Sequence, residues 1–144
     1  MSGQAGIFNR IVAAVIDHMI ASLFFFLPVL GGLFGIFYIL GKDAIMYRIT
    51  GHPGWQNKSI GKHVMNLRVE CQDMEVIDLA TSARRNLPLI PGRIVGIIPL
   101  IGWVIGPVVG AVAKLVELFV LTSSPEGIRL GDRLARTRVI EDET

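Results

Sequence analysis

The sequence is poor in the residues that build covalent or metal-held frameworks. A single cysteine, Cys71, excludes an internal disulfide and any multi-cysteine metal site. Three histidines, at 18, 52 and 63, offer too little for a zinc centre, and none is expected. Charged residues are also scarce, at 18% against about 25% in soluble domains. Catalytic signatures are missing as well. There is no HExxH and no GxSxG, and "GHPGWQNKSIGK" holds glycine and lysine without the spacing or the preceding strand of a phosphate-binding loop. No nucleophile, base and orienting group can be assembled. The expectation is a protein that is not an enzyme and carries no cofactor.

What is abundant is apolar. The chain is 51% hydrophobic over 144 residues, enough for one domain, 1–144. Its mean hydropathy is +0.55, which points to a membrane protein. Most apolar residues fall into two blocks, 11–46 and 87–121, separated by a polar and basic segment. The net charge is +2 and the pI near 9.0. The basic residues form no single stripe and acids are mixed among them, which excludes nucleic acid as the expected partner. Anionic lipid headgroups suit this basicity better. Arg10 followed by apolar residues has the start of a signal peptide. Asp17 and His18 interrupt the run, however, and no small-x-small cleavage pattern follows, so a retained first span is expected.

Residues 11–29 number nineteen, close to the roughly 20 that cross a hydrocarbon core. Pro28, Gly31 and Gly32 offer a turn into a second span, 33–48, interrupted by Lys42 and Asp43. A hairpin is preferred to one long helix from 11 to 41, which would overshoot a bilayer. In the polar loop, 49–86, "HVMNLRVEC" reads as a short strand. Asp73 and Glu75 mark a turn, and "VIDLATSARRN" reads as an amphipathic helix at the interface. No internal repeat stands out. The block 87–121 is long for one span and tight for two. Pro88, Pro91, Pro99 and Gly102 break its beginning, and 104–121 forms a span with Pro107 in its first turn. The block therefore holds the third and fourth spans or one broken span.

Arg48, Lys58, Lys62, Arg68, Arg84, Arg85 and Arg93 place the middle segment on the cytoplasmic side. The tail, 122–144, carries Arg129, Arg133, Arg136 and Arg138 and belongs on the same side. Two segments on one face require an even number of crossings between them. The expected fold is an all-α integral membrane protein of four transmembrane helices in two hairpins, three spans being the alternative, with both termini cytoplasmic. "LARTRVI" in the tail is strand-like and can pair with "NLRVE" as a small cytoplasmic β element.

The polar residues in the oily blocks are the candidate site. Arg10 and Asp17 are seven apart and share a helical face, separated by about 10 Å along the axis. Each is expected to find its partner on another helix. A carboxylate at the depth of Asp17 is costly without protonation, pairing or water. A fold-specifying ion pair is the first reading, and a proton or cation pathway the second. His18 is turned about 100° from Asp17 and suits interhelical hydrogen bonding or a proton relay. Lys42 and Asp43 mark the cytoplasmic end of the second span, with Lys42 snorkelling to the headgroups and Asp43 needing a donor. Gly102, Gly106, Gly110 and Lys114 recur every four residues. The glycines read as a close-packing stripe. Lys114 and Glu117 can pair across one turn or complement charges in the first hairpin. Gly92 and Gly96 repeat the glycine spacing, a common pattern of little weight.

Together these segments resemble the RDD family of small bacterial membrane proteins, named for one arginine and two aspartates. Arg10 and Asp17 match the first two in the opening "R…AxxID" span. Asp132 in "GDRLARTRVI" matches the third. "SIGKHVMNLRVE" is similar to the family's "S-x-GK-x-x-x-GLRVV", "TSARRNLPLI" to its "S-x-x-R-N" helix with Arg85 in the basic position, and "YILGKDAIMYRITG" to a second-span ending whose aspartate is Asp43. The likeness runs from Arg10 to Ile140. Asn66 and Arg136 replace glycines of the pattern, which argues against family-typical turn geometry there.

The resemblance implies a bacterial inner-membrane location and leaves the role open, some members being linked to sodium–proton exchange and others to assembly with membrane partners. Asp132 can receive Arg10 or Arg85 at the interface, and a link to Arg10 would leave Asp17 free for another task. The first functional expectation is a membrane scaffold or assembly subunit, self-associating through its small-residue face or bound to a membrane protein partner. The second is a small oligomeric ion transporter, a proton-coupled cation exchanger with Asp17 titrating and Lys114 and Glu117 tuning it.

Overall fold

The computed structural model describes residues 3–23, 27 and 29–143. Pro28 and residues 24–26 of the expected first span lie outside the described residues. The chain is mostly helical: α1 (Ile7–Ser22), α2 (Leu30–Thr50), α3 (Ile60–Val64), α4 (Leu79–Asn86), α5 (Pro91–Gly96), α6 (Ile101–Ser123) and α7 (Leu130–Leu134). Two strands, β1 (Leu67–Cys71) and β2 (Thr137–Glu141), pair antiparallel with Val69 opposite Val139. The expected strand pairing is therefore present. β1 begins four residues after His63, because His63 and Val64 complete α3. The N-terminal segment lies along β2, Ala5 N–H donating to Val139 O at 3.3 Å and Glu141 N–H to Gly3 O at 3.1 Å.

Two helices, α2 and α6, are long and apolar enough to cross a membrane. Both exceed the expected bounds. α2 runs from residue 30 to 50, closed by Gly51 in the left-handed region at φ 65°, so Lys42 and Asp43 lie inside it. α6 begins at residue 101, which puts Pro107 in its second turn. The prolines and glycine before α6 do not make one continuous helix. They make a 3-10 turn at Leu87–Leu89 and the short α5, which returns along α6. The polar segment 49–86 holds the expected strand as β1 and the expected helix as α4, with α3 before them. Asp78 caps α4 by accepting the Thr81 N–H at 2.7 Å. Instead of riding an interface, α4 buries Thr81, Ser82, Arg85 and Asn86.

The glycine stripe of α6 packs inside the chain. A Cβ on Gly92 would meet Gly106 O at 2.6 Å, and one on Gly106 would meet Gly92 O at 2.8 Å. The Gly92–Gly96 spacing, of little weight in the sequence, is thus the other half of the seam. Because α5 fills the stripe, it is not a face for self-association.

An internal repeat emerges that the sequence does not announce. Residues 7–71 supply helix, long helix, short helix and strand, as α1, α2, α3 and β1. Residues 79–141 supply the same order, with α4, the 3-10 turn and α5 together standing for α1, then α6, α7 and β2. α3 and α7 each have five residues, and adding 70 to the numbers of α3 and β1 gives those of α7 and β2. Positive φ recurs before the long helices, at Val29 (62°) and Leu100 (65°), and before the strands, at Asn66 (51°) and Arg136 (51°). Exchanging the halves leaves the ladder unchanged, since Leu67↔Glu141 becomes Thr137↔Cys71. Left-handed turn geometry is therefore kept at Asn66 and Arg136 without glycine, contrary to the expectation from their identity.

Candidate functional site: a buried ion-pair network

The periodicity of α1 puts Arg10, Ala13, Asp17 and Ala21 on one buried face. Short alanines let α3 approach so closely that a Cβ on Gly61 would overlap the Ala13 carbonyl. That approach delivers the Gly61 N–H to Asp17 Oδ1 at 2.8 Å. Ser59 Oγ donates to Asp17 Oδ2 at 2.6 Å, and Lys42 Nζ pairs with the same oxygen at 2.9 Å. The Tyr38 hydroxyl reaches Oδ1 at 3.4 Å. Asp17 is fully buried and its donors come from α2, α3 and the α3 cap. Lys42 does not snorkel: it is buried and turned inward to Asp17.

One residue along α2, Asp43 is turned about 100° from Lys42 and collects Lys62 Nζ, Asn86 Nδ2 at 3.1 Å and Arg85 Nε at 3.3 Å. Arg85 then spans to Asp132, Nη2 to Oδ1 at 3.0 Å. Its Nε and Nη2 meet the two carboxylates as ion pairs without hydrogen-bond alignment, while Nη1 donates to Thr137 Oγ1 at 3.4 Å. Asp132 also receives Arg10 Nη2 at 2.7 Å and Arg129 Nη2 at 3.4 Å. Of the two arginines weighed for Asp132, it takes both. Gly131 permits this, since a Cβ there would overlap the Arg85 carbonyl.

The electrostatics follow from burial and opposite charge. Desolvation alone would raise the Asp132 carboxyl, but the Arg85, Arg129 and Arg10 guanidiniums outweigh it and hold it below the ordinary carboxylate range. Burial pushes the Lys62 ammonium down to about 8, with Asp43 opposing the shift. Pairs of this kind gain little over an apolar core, yet losing one partner strands a buried charge.

Of the candidate residues, Arg10, Asp43, Arg85 and Asp132 form one connected chain of pairs, and Asp17 adjoins it through neighbouring Lys42. Asp17 is not left free for a separate task. Glu117 is buried, but its Oε1 accepts the Gly131 N–H at 3.2 Å rather than Lys114, which is exposed. The expected Lys114–Glu117 pair is not formed. His18 Nδ1 bonds Ala14 O at 2.9 Å within its own helix, not across helices. Sequence reasoning missed Ser59, Lys62, Asn86 and Arg129 as partners. Ser59 and Lys62 carried a signal, the spacing of a helix cap in "SIGK", where the Lys62 N–H meets Ser59 Oγ.

Among the described residues no group of three or more His, Cys, Asp or Glu is placed to hold a metal ion. No curated protein and no solved structure matches the chain. The model of the RDD family matches residues 4–136, nearly the whole length and a range that contains Arg10, Asp17 and Asp132. The chain, membrane-associated and built on two apolar helices, belongs to the RDD family.

Proposed function

We propose that this protein is a non-enzymatic membrane scaffold or assembly subunit of the bacterial cytoplasmic membrane. The observation that carries this reading is the saturation of the eponymous charges: Asp17, Asp132 and Arg10 all spend their bonding capacity inside the fold. Transport by titration of Asp17 would need that carboxylate to shed a buried lysine, a serine and a backbone N–H, leaving Lys42 buried and unpaired. Four spans are supported by the repeat, in which each half supplies one apolar hairpin followed by a polar helix and strand. Parallel repeats of this kind share one orientation, and the arginines and lysines of both β-bearing segments favour the cytoplasm. A homo-oligomer or a partner membrane protein would meet the outer apolar faces of α2 and α6, where Phe34, Phe37, Val104, Val108, Val112 and Phe119 are exposed.

The test is ion and proton flux in proteoliposomes under sodium, potassium and pH gradients. Neither the native protein nor Asp17→Asn should pass ions. Flux in the native protein that vanishes in a folded Asp17→Asn would sink the scaffold reading. Orientation is checked independently at Cys71, the single thiol, which a membrane-impermeant reagent should label from the cytoplasmic side only.

A further inference from the structure

The repeat is broken in one place. α4 packs closely on α2, but the equivalent pair, α1 and α6, barely touches. Between them lies a cleft of about 490 Å³. Its walls are apolar, with Ile11, Val15 and Met19 on α1 and Leu118 and Leu121 on α6. Its floor is the cationic side of the network.

Three polar groups on this cleft are unsatisfied. Glu117 is 4% exposed, and its Oε2 is buried with no partner. His18 donates from Nδ1 to Ala14 O, which leaves Nε2 as a bare acceptor, also buried and unpartnered. Lys114 has no hydrogen-bond or ion-pair partner among the described residues, and its charged neighbour is another cation, Arg93. Buried atoms such as Glu117 Oε2 and His18 Nε2 are rarely left this way, and an exposed ammonium within a membrane-spanning helix needs a counter-charge. The set asks for an anion at Lys114 and for N–H donors at Glu117, three residues along α6, and at His18 on α1.

The geometry points to an aminophospholipid of the surrounding bilayer as the occupant. Its phosphate would lie on Lys114 Nζ, its primary ammonium on Glu117 Oε2 and His18 Nε2, and one acyl chain would run past Met19, away from the cytoplasmic end of α1. The zwitterion answers both signs of unmet charge, which a purely anionic lipid does not. The 490 Å³ available takes a headgroup and part of one acyl chain. A helix from a second copy, roughly 10 Å across, would enter by little more than one turn and bring Lys114 no anion of its own.

This inference rests on the membrane reading, which is tested separately by whether extraction requires detergent. Delipidated protein in detergent is titrated with short-chain phosphatidylethanolamine, phosphatidylglycerol and phosphatidylcholine, and bound lipid is counted by native mass spectrometry. One phosphatidylethanolamine per chain is expected, bound about tenfold tighter than phosphatidylglycerol, which lacks the ammonium, or phosphatidylcholine, which lacks its N–H donors. Lys114→Met removes the phosphate contact and Val15→Trp fills the cleft. Both positions are exposed, so unchanged melting should accompany a loss of about tenfold or more in affinity. Equal affinity for the three headgroups would overturn the proposal. So would binding indifferent to both variants, or a lipid-free protein that self-associates and cross-links to a second copy through residue 15.

Discussion

Arg136 sits at φ 51°, where an L side chain crowds its own carbonyl and glycine does not. Its side chain offers little in return, reaching Asp73 at 3.7 Å with both groups well exposed. Arg136→Gly should therefore raise stability by about 1 kcal/mol, read as a higher melting temperature in detergent. Asn66, at the same angle, tolerates it better, so Asn66→Gly should gain less. Asp132 sets a pH limit. Its carboxyl is held below the ordinary 3.8 by three guanidiniums. Its contribution is thus complete above that value and lost as the pH falls through the lower, folded one. Melting temperature should drop steeply below pH 4, and the drop should be shallower in Asp132→Asn, which starts from a less stable protein.

At the scale of elements, the α5–α6 seam depends on glycines facing each other. Gly92→Val would force the two backbones apart, an overpacking that costs roughly 3 kcal/mol. Gly96→Ala is the control, because a Cβ there meets nothing closer than Gly102 O at 3.9 Å. Differential scanning in detergent separates the two. This seam also shows what a sequence withholds. The α6 stripe was legible from its four-residue spacing, but spacing says nothing about which surface fills it, so α5 went unrecognised. The β1–β2 pairing was legible because alternating apolar residues fix a strand face. The partners of Asp17 and Asp43 were not, because a lysine at a helix end and a lysine turned inward share one sequence signature. Their burial was set by Gly61 and Ser82, small residues that admit α3 and α4.

At the scale of the whole molecule, the two halves meet through the ladder and the network but are joined in sequence by the exposed residues 72–76. Closing a longer loop costs only about 0.6 kcal/mol for each doubling of its length. Six glycine and serine residues inserted after Asp73 should lower stability by about 1 kcal/mol or less, with network and sheet retained. A larger loss of melting temperature would show that the halves depend on a taut connection. The repeat itself was invisible in the sequence because backbone geometry, not side-chain identity, carries it. Between the short helix and strand of each half, Gly61 and Gly131, Arg68 and Arg138, and Val69 and Val139 are matched, while the core-facing charges differ.

That difference makes each half dependent on the other. Lys62 and Asp132 occupy the same position of α3 and α7, yet one answers Asp43 and the other answers Arg10 and Arg85. A symmetric assembly of two first halves would keep the Lys62–Asp43 pair but leave each Arg10 without the Asp132 carboxylate. Two second halves would keep Asp132 on Arg85 and Arg129 but leave each Arg85 without Asp43. A tandem chain can write opposite signs into equivalent places, and here it leaves the halves no longer interchangeable: Arg10 of the first needs Asp132 of the second, and Arg85 of the second reaches Asp43 of the first.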